Sequence, residues 1–196
     1  MNILLFTSAF PYGGDSENFL RNELNIGSKI SSITVIPFSK RGSAREVPNN
    51  VLVNNVCNNQ SKIFYLIVLI KMLFSFYFWK SILSEKFIKA KKINQKYFYI
   101  KSLFGSLIIK TVIKKRKIHY DSDTIFYSYW LTYAPLGLAM LRREGLLKNK
   151  IVSRGHSYDV DEEEVGFHFP LRNLIYKHVN HIFPISIIAA NTIIRR

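Results

Sequence analysis

Two stretches of this 196-residue chain carry side chains whose types and spacing can do chemistry. The first, PYGGDSE (11–17), follows the apolar run NILLFTSAF (2–10). Two adjacent glycines, Gly13 and Gly14, let a backbone turn tightly and approach another molecule. A helix opening just beyond them aims unpaired N–H groups at the same space, which suits an anion such as phosphate. The same residues also make an ordinary strand-to-helix turn. Glu17 fits two roles: a hydrogen bond to a ligand hydroxyl, or a helix-start carboxylate facing the positive end of the dipole. The second stretch, SRGHSYD (153–159), follows β-branched Ile151 and Val152. A loop in that place falls at the C-terminal edge of a parallel sheet, where open α/β folds bind ligands. His156 is its foremost candidate, with Arg154 and Asp159 beside it. The plainer alternative is a histidine bonded to backbone in a loop braced by its neighbours.

Several chemistries are disfavoured by pattern. Neither G-x-G-x-x-G nor G-x-x-x-x-G-K occurs, so neither a dinucleotide nor an ATP site is indicated and no cofactor is expected. Ser153, His156 and Asp159 sit too close in one loop to form a hydrolytic triad, and no nucleophile elbow is present. The set His156, Asp161, Glu162, Glu163 and His168 reads as a solvated acidic run, and no metal is expected. One cysteine, Cys57, excludes an internal disulfide.

The elements that must position these residues alternate between strand and helix at both ends of the chain. NILLFTSAF, SSITVIPFSK, VLVNNV, DTIFYSYWL, NKIVSRG and HIFPIS read as strands. SENFLRNELNIG, with Asp15 or Ser16 as cap and Gly27 near its end, reads as a helix, as do APLGLAMLRREG, PLRNLIYKHV and IIAANTIIRR. This alternation predicts an α/β fold, a Rossmann-like parallel sheet with flanking helices in one domain over 1–196. Ser186 fits either a cap for the last helix or a cleft position. The N-terminal run lacks a basic leader and reads as a buried strand rather than a signal peptide.

The middle differs. Fourteen of the 28 Lys and Arg lie between 62 and 117 with one acid, Glu85, so that segment holds +13 of the net +15. The stretch IFYLIVLIKMLFSFYFWKSIL (63–83) is near bilayer-spanning length, but a true span would split the sheet. A helix buried in the domain or lying in the membrane interface is expected instead. The following lysines, Lys89, Lys91, Lys92 and Lys96 among them, alternate with Phe, Tyr and Ile. Residues 62–118 therefore predict a basic amphipathic helical insertion. It either docks on anionic lipid or presents a solvated face over a core stripe. A nucleic-acid groove is the third possibility; the segment is too continuously apolar for that, and no nucleic-acid partner is expected.

The motifs, taken in order, resemble GT-B glycosyltransferases of the large retaining family 4 (group 1). PYGGDSENFLRNEL resembles that family's opening loop and SYWLTYAPLGLAM the strand and helix before its active-site loop. SRGHSYDVDEE resembles its Arg-x-His-Gly-x-Asp stretch, with Ser157 where many relatives have Gly. HIFPIS resembles the strand before its interdomain linker. The resemblance implies one half of a GT-B fold, the acceptor-side domain. The second, nucleotide-binding domain, with its Glu-x7-Glu motif, would begin beyond residue 196; no two Glu here are eight positions apart. It implies a metal-free transfer of sugar from a nucleotide-sugar to a glycan or lipid-linked acceptor, in polysaccharide or lipid-linked oligosaccharide synthesis. It places the protein in the cytoplasm, peripheral on the inner face of the membrane. His156 would stand beside the donor sugar as the catalytic residue, Gly13, Gly14 and Arg154 would line the donor, and Glu17, Asp159 and Trp130 the acceptor. Half an enzyme is expected to be inactive alone. The alternative from another class is a non-catalytic acceptor- or membrane-binding module.

Overall fold

The computed structural model describes residues 1–14, 17–26, 32–162, 166 and 168–195. Six parallel strands form one sheet: β1 (Asn2–Thr7), β2 (Ser32–Pro37), β3 (Val51–Val53), β4 (Ile125–Ser128), β5 (Ile151–Gly155) and β6 (His181–Pro184). Their order is β3-β2-β1-β4-β5-β6. Phe6 stands opposite Ile36 on β2 and Ser128 on β4. The fold is the expected Rossmann-like α/β arrangement.

Successive side chains of β1 go to opposite faces. Leu4 and Phe6 join Ile36, Phe126 and Ile151 in one core. Leu5 joins Ile33, Val35 and Val51 in another, against Leu20 and Leu24 of α1 (Phe19–Ile26). Burial on both faces is why these strands read as continuous apolar runs. The expected caps Asp15 and Ser16, and Gly27, lie outside the described residues.

The first core is covered by α2 (Lys62–Leu73), α5 (Ile93–Lys114), α6 (Tyr133–Arg143) and α8 (Arg172–His178). The remaining helices are α3 (Phe76–Ile82), α4 (Glu85–Lys89), α7 (Ser157–Val160) and α9 (Ile187–Ile194). Helices α5 and α6 nearly touch backbone to backbone. A Cβ on Gly137 would stand 2.4 Å from the Ser106 carbonyl oxygen, and one on Gly105 would press on Phe38 at 3.1 Å and Tyr133 at 3.3 Å.

The apolar middle is not one helix. It breaks after Phe74, and α2 and α3 meet at 64°. Ser75 makes the break: its side chain accepts the Phe78 N–H, opening a new helix, and its hydroxyl donates to the Met72 carbonyl that ends the old one. Ser61 and Ser84 cap α2 and α4 in the same way. Among the described residues no single helix is long and apolar enough to cross a membrane; α2 and α3 pass that test only as a bent pair. The C-terminal half of α5 is core rather than amphipathic surface: Leu103, Ile109, Val112 and Ile113 are buried. Ser186 caps α9 by accepting the Ala189 N–H.

Candidate functional site

Strand β1 leads into α1 on one face of the sheet and β4 into α6 on the other, so the chain diverges at their shared carboxyl end. That crevice is where open α/β sheets bind ligands. A cleft of about 700 Å³ lies there. Ser8, Ala9 and Gly13 form its floor after β1, and Phe38, Ser39, Lys40 and Arg41 come from the loop after β2. Trp130, Thr132 and Tyr133 follow β4, Phe98 and Lys101 come from α5, and Tyr158 closes the far side. Among the described residues its charged lining is Lys40, Arg41 and Lys101, with no acid.

The loop after β1 is built around Glu17. Oε1 of that carboxylate accepts the Ser8 N–H at 2.8 Å and the Trp130 indole N–H at 2.6 Å. Oε2 accepts the Ala9 N–H at 2.9 Å and the Phe10 N–H at 2.7 Å. Three successive amides thus form an anion receptor whose anion is the protein's own carboxylate. The helix-start alternative for Glu17 fails on geometry: α1 begins at Phe19, and the donors come from the strand side. Both oxygens are committed to the loop rather than directed at a ligand hydroxyl. Gly13 (φ 86°) and Gly14 (φ 59°) occupy the left-handed region that the turn demands. Gly13 also spends its N–H on the Arg41 carbonyl at 2.8 Å, pinning the β2 loop beside the cleft.

The second stretch is equally cross-braced. Asp159 is fully buried; Oδ1 accepts the His156 N–H at 2.7 Å and Oδ2 the Leu131 N–H at 2.6 Å, which ties the β5 loop to the β4 loop. Buried Arg172 donates to the carbonyls of Leu131 and Asp159. Arg154 pairs with Glu23 of α1 and stacks over Tyr129 at 5.3 Å. His156 packs its ring 4.2 Å from that of Trp130. Its Nδ1 is buried with no hydrogen-bond partner among the described residues, 3.7 Å from Asp159 Oδ2.

Of the residues named from sequence, Gly13 and Trp130 line the cleft. His156 lies one layer back, against Trp130, and does not line it. Glu17, Asp159 and Arg154 hold the surrounding loops. Lys89 pairs with Glu85, Lys96 sits over Phe87 at 5.6 Å, and Lys91 and Lys92 are exposed in the α4–α5 connection, all away from the cleft lining. In the acidic run, Glu162 is held by Arg172, Lys86 and the Phe169 N–H, and Glu163 lies outside the described residues. Sequence reasoning missed Lys40, Arg41, Lys101, Tyr133 and Tyr158. For Lys40 and Arg41 the signal was position, directly after a parallel strand. The Tyr133 hydroxyl lies 3.2 Å from the Ser8 hydroxyl, and burial pushes its pKa above the ordinary value, so it stays neutral. The arrangement combines aromatic faces with three cations, which suits a sugar joined to a phosphate or diphosphate.

Comparison with protein-family models, with curated proteins and with solved structures finds no match.

Proposed function

We propose that the chain is the acceptor-side Rossmann-like domain of a retaining GT-B glycosyltransferase, one that moves a sugar from a nucleotide-sugar to a membrane-associated glycan acceptor. The observation that carries this is the aromatic and cationic cleft at the β1–β4 divergence, with Trp130, Tyr158 and Phe38 for sugar rings and Lys40, Arg41 and Lys101 for phosphates. Apolar side chains exposed along β6 and α9, Phe183, Ile185, Ile187 and Ile188, support it as a surface suited to a second domain. The proposal includes peripheral docking on an anionic membrane through the basic segment. Exposed Phe74 and Trp79, with Lys71 and Lys80 beside them, favour that part and also the alternative of a docking module without catalysis.

The test uses Trp130 as reporter. The chain has two tryptophans, so Trp79→Phe leaves one. Titration with a short-chain prenyl-diphosphate sugar should quench its fluorescence and saturate. Lys101→Glu should weaken that binding about tenfold or more, the scale of one charge-assisted hydrogen bond. Absence of saturable quenching by either the prenyl-linked sugar or nucleotide-sugars would remove the glycosyltransferase reading and leave the docking module.

A further inference from the structure

A second groove, of about 560 Å³, lies between α3–α4 and α8. It shares no lining residue with the switch-point cleft. Its cationic lining includes Lys80, Lys86, Arg143 and Lys177, and among the described residues no Asp or Glu lines it. The nearby carboxylates are already engaged: Glu162 by Arg172 and Lys86, and Glu144 by Lys110 and the Tyr77 hydroxyl. His178, at the groove's end, has its pKa lowered by burial first and then by Lys177, Arg142 and Arg143, as expected where the local field is already positive. An anion entering the groove meets cations from four helices, α3, α4, α6 and α8, with Lys86 shared with Glu162.

The groove's other bank is apolar. Helix α3 carries groove-lining Lys80 and, on the same short element, Phe76 and Trp79, which are 61% and 52% exposed. The two surfaces are joined at Phe76, whose ring lies 5.7 Å from the Lys80 ammonium and 5.4 Å from the Arg143 guanidinium. Beyond it the apolar surface continues through Phe74, 86% exposed, to Ile70 and Ile63 of α2, and on the other side to Leu83. A basic trough flanked by a long apolar ridge matches one chemistry, an amphiphile with an anionic head and hydrocarbon tails. A soluble polyanion leaves the ridge in water, and an apolar peptide leaves the lysines unused.

We propose that the α3–α8 groove binds the phosphate headgroup of an anionic phospholipid while the α2–α3 ridge enters the acyl boundary of the same bilayer. This rests on the membrane docking proposed above and locates it away from Lys89, Lys91, Lys92 and Lys96. One lysine near an anionic surface is worth about fivefold in binding.

The experiment is sedimentation of the full chain with vesicles of phosphatidylglycerol and phosphatidylcholine, against pure phosphatidylcholine. Lys80→Glu/Lys177→Glu alters two exposed groove residues. Lys91→Glu/Lys92→Glu makes the same charge change outside the groove. The groove variant should lose about 25-fold or more in partition, by two such lysine contributions, and the control should lose several-fold less. Thermal melts of both variants should match the parent, since all four lysines are exposed. Equal losses would overturn the groove while leaving diffuse docking in place. Absence of parent binding to anionic vesicles would overturn both. Soluble glycerol phosphate that displaces the protein from vesicles at millimolar concentration, with equal affinity in their absence, would mark a soluble phosphate site and overturn the lipid assignment.

Discussion

Replacing Glu17 with Gln isolates what the carboxylate does at the head of the cleft. The side chain keeps its shape and loses one acceptor oxygen. Oε1 serves Ser8 and Trp130, and Oε2 serves Ala9 and Phe10. Whichever way the amide is turned, two N–H donors face an NH2 group instead of an oxygen. Phe10 is fully buried, so water does not replace the lost acceptor there. Each buried donor left unpaired costs about 1–3 kcal/mol, so with two donors the variant should lose about 2–6 kcal/mol. For a chain of this size each kcal/mol moves Tm by about 2–4 °C, which gives a fall of about 4–24 °C. Circular dichroism melts of parent, Glu17→Gln and Glu17→Ala provide the assay, with near-ultraviolet signals reporting the Trp130 environment. A Glu17→Gln variant melting within about 2 °C of the parent would refute the reasoning, because the loop would then hold its amides without the carboxylate, and Glu17 would be free to meet a ligand.

Gly137→Ala should destabilise although alanine is the better helix former by about 1 kcal/mol. The new methyl would lie 2.4 Å from the Ser106 carbonyl oxygen, and parting two packed helices costs about 1–3 kcal/mol, leaving a net loss of up to about 2 kcal/mol and a Tm fall of up to about 8 °C; a higher Tm counts against the close contact. Acid should selectively weaken the Glu162 cluster. Burial alone raises that carboxyl's pKa, but Arg172, Lys86 and the Phe169 N–H bring it from 4.5 down to about 2. Its contribution is therefore full above pH 4.5 and lost as pH falls toward 2, about 3 kcal/mol in all. Urea midpoints measured across that window should fall less steeply for Glu162→Gln than for the parent, and parallel curves would refute the assignment.

The flanks of the chain were legible because strands covered on both faces, such as Leu4-Leu5-Phe6, leave apolar runs bounded by turn residues. Strand order was not legible, since pairing of β1 with β4 across more than a hundred residues leaves no local mark. The middle was rightly read as helical, but its apolar run was read as one helix where the chain makes two. Its run is apolar on every side because α2 and α3 bury one face and expose another, and apolarity outweighed the three serines at 61, 75 and 84 that each start a helix. Gly13 was singled out by a local turn signal and Trp130 through the family resemblance, and both line the cleft. Glu17 was singled out by type and place, but its partners are strand-end amides and an indole 113 positions away. Lys101 becomes a cleft residue only once α5 is laid across the sheet.

Helix α5 is a party wall. Lys101 and Ser102 face the switch-point cleft while Tyr99, within the same turn, faces the α3–α8 groove. The two basins stand back to back across about one turn of helix, and that helix is wedged against α6 by the glycine contact. Were a ligand on one side to shift α5, the other basin would feel the same shift. Thermodynamic linkage then makes the effect mutual: if a bilayer on the groove changes affinity in the cleft by some factor, a sugar phosphate in the cleft changes affinity for the bilayer by that same factor. If the proposed bilayer contact and the proposed cleft ligand are both real, the bilayer would act as an effector of what the cleft accepts.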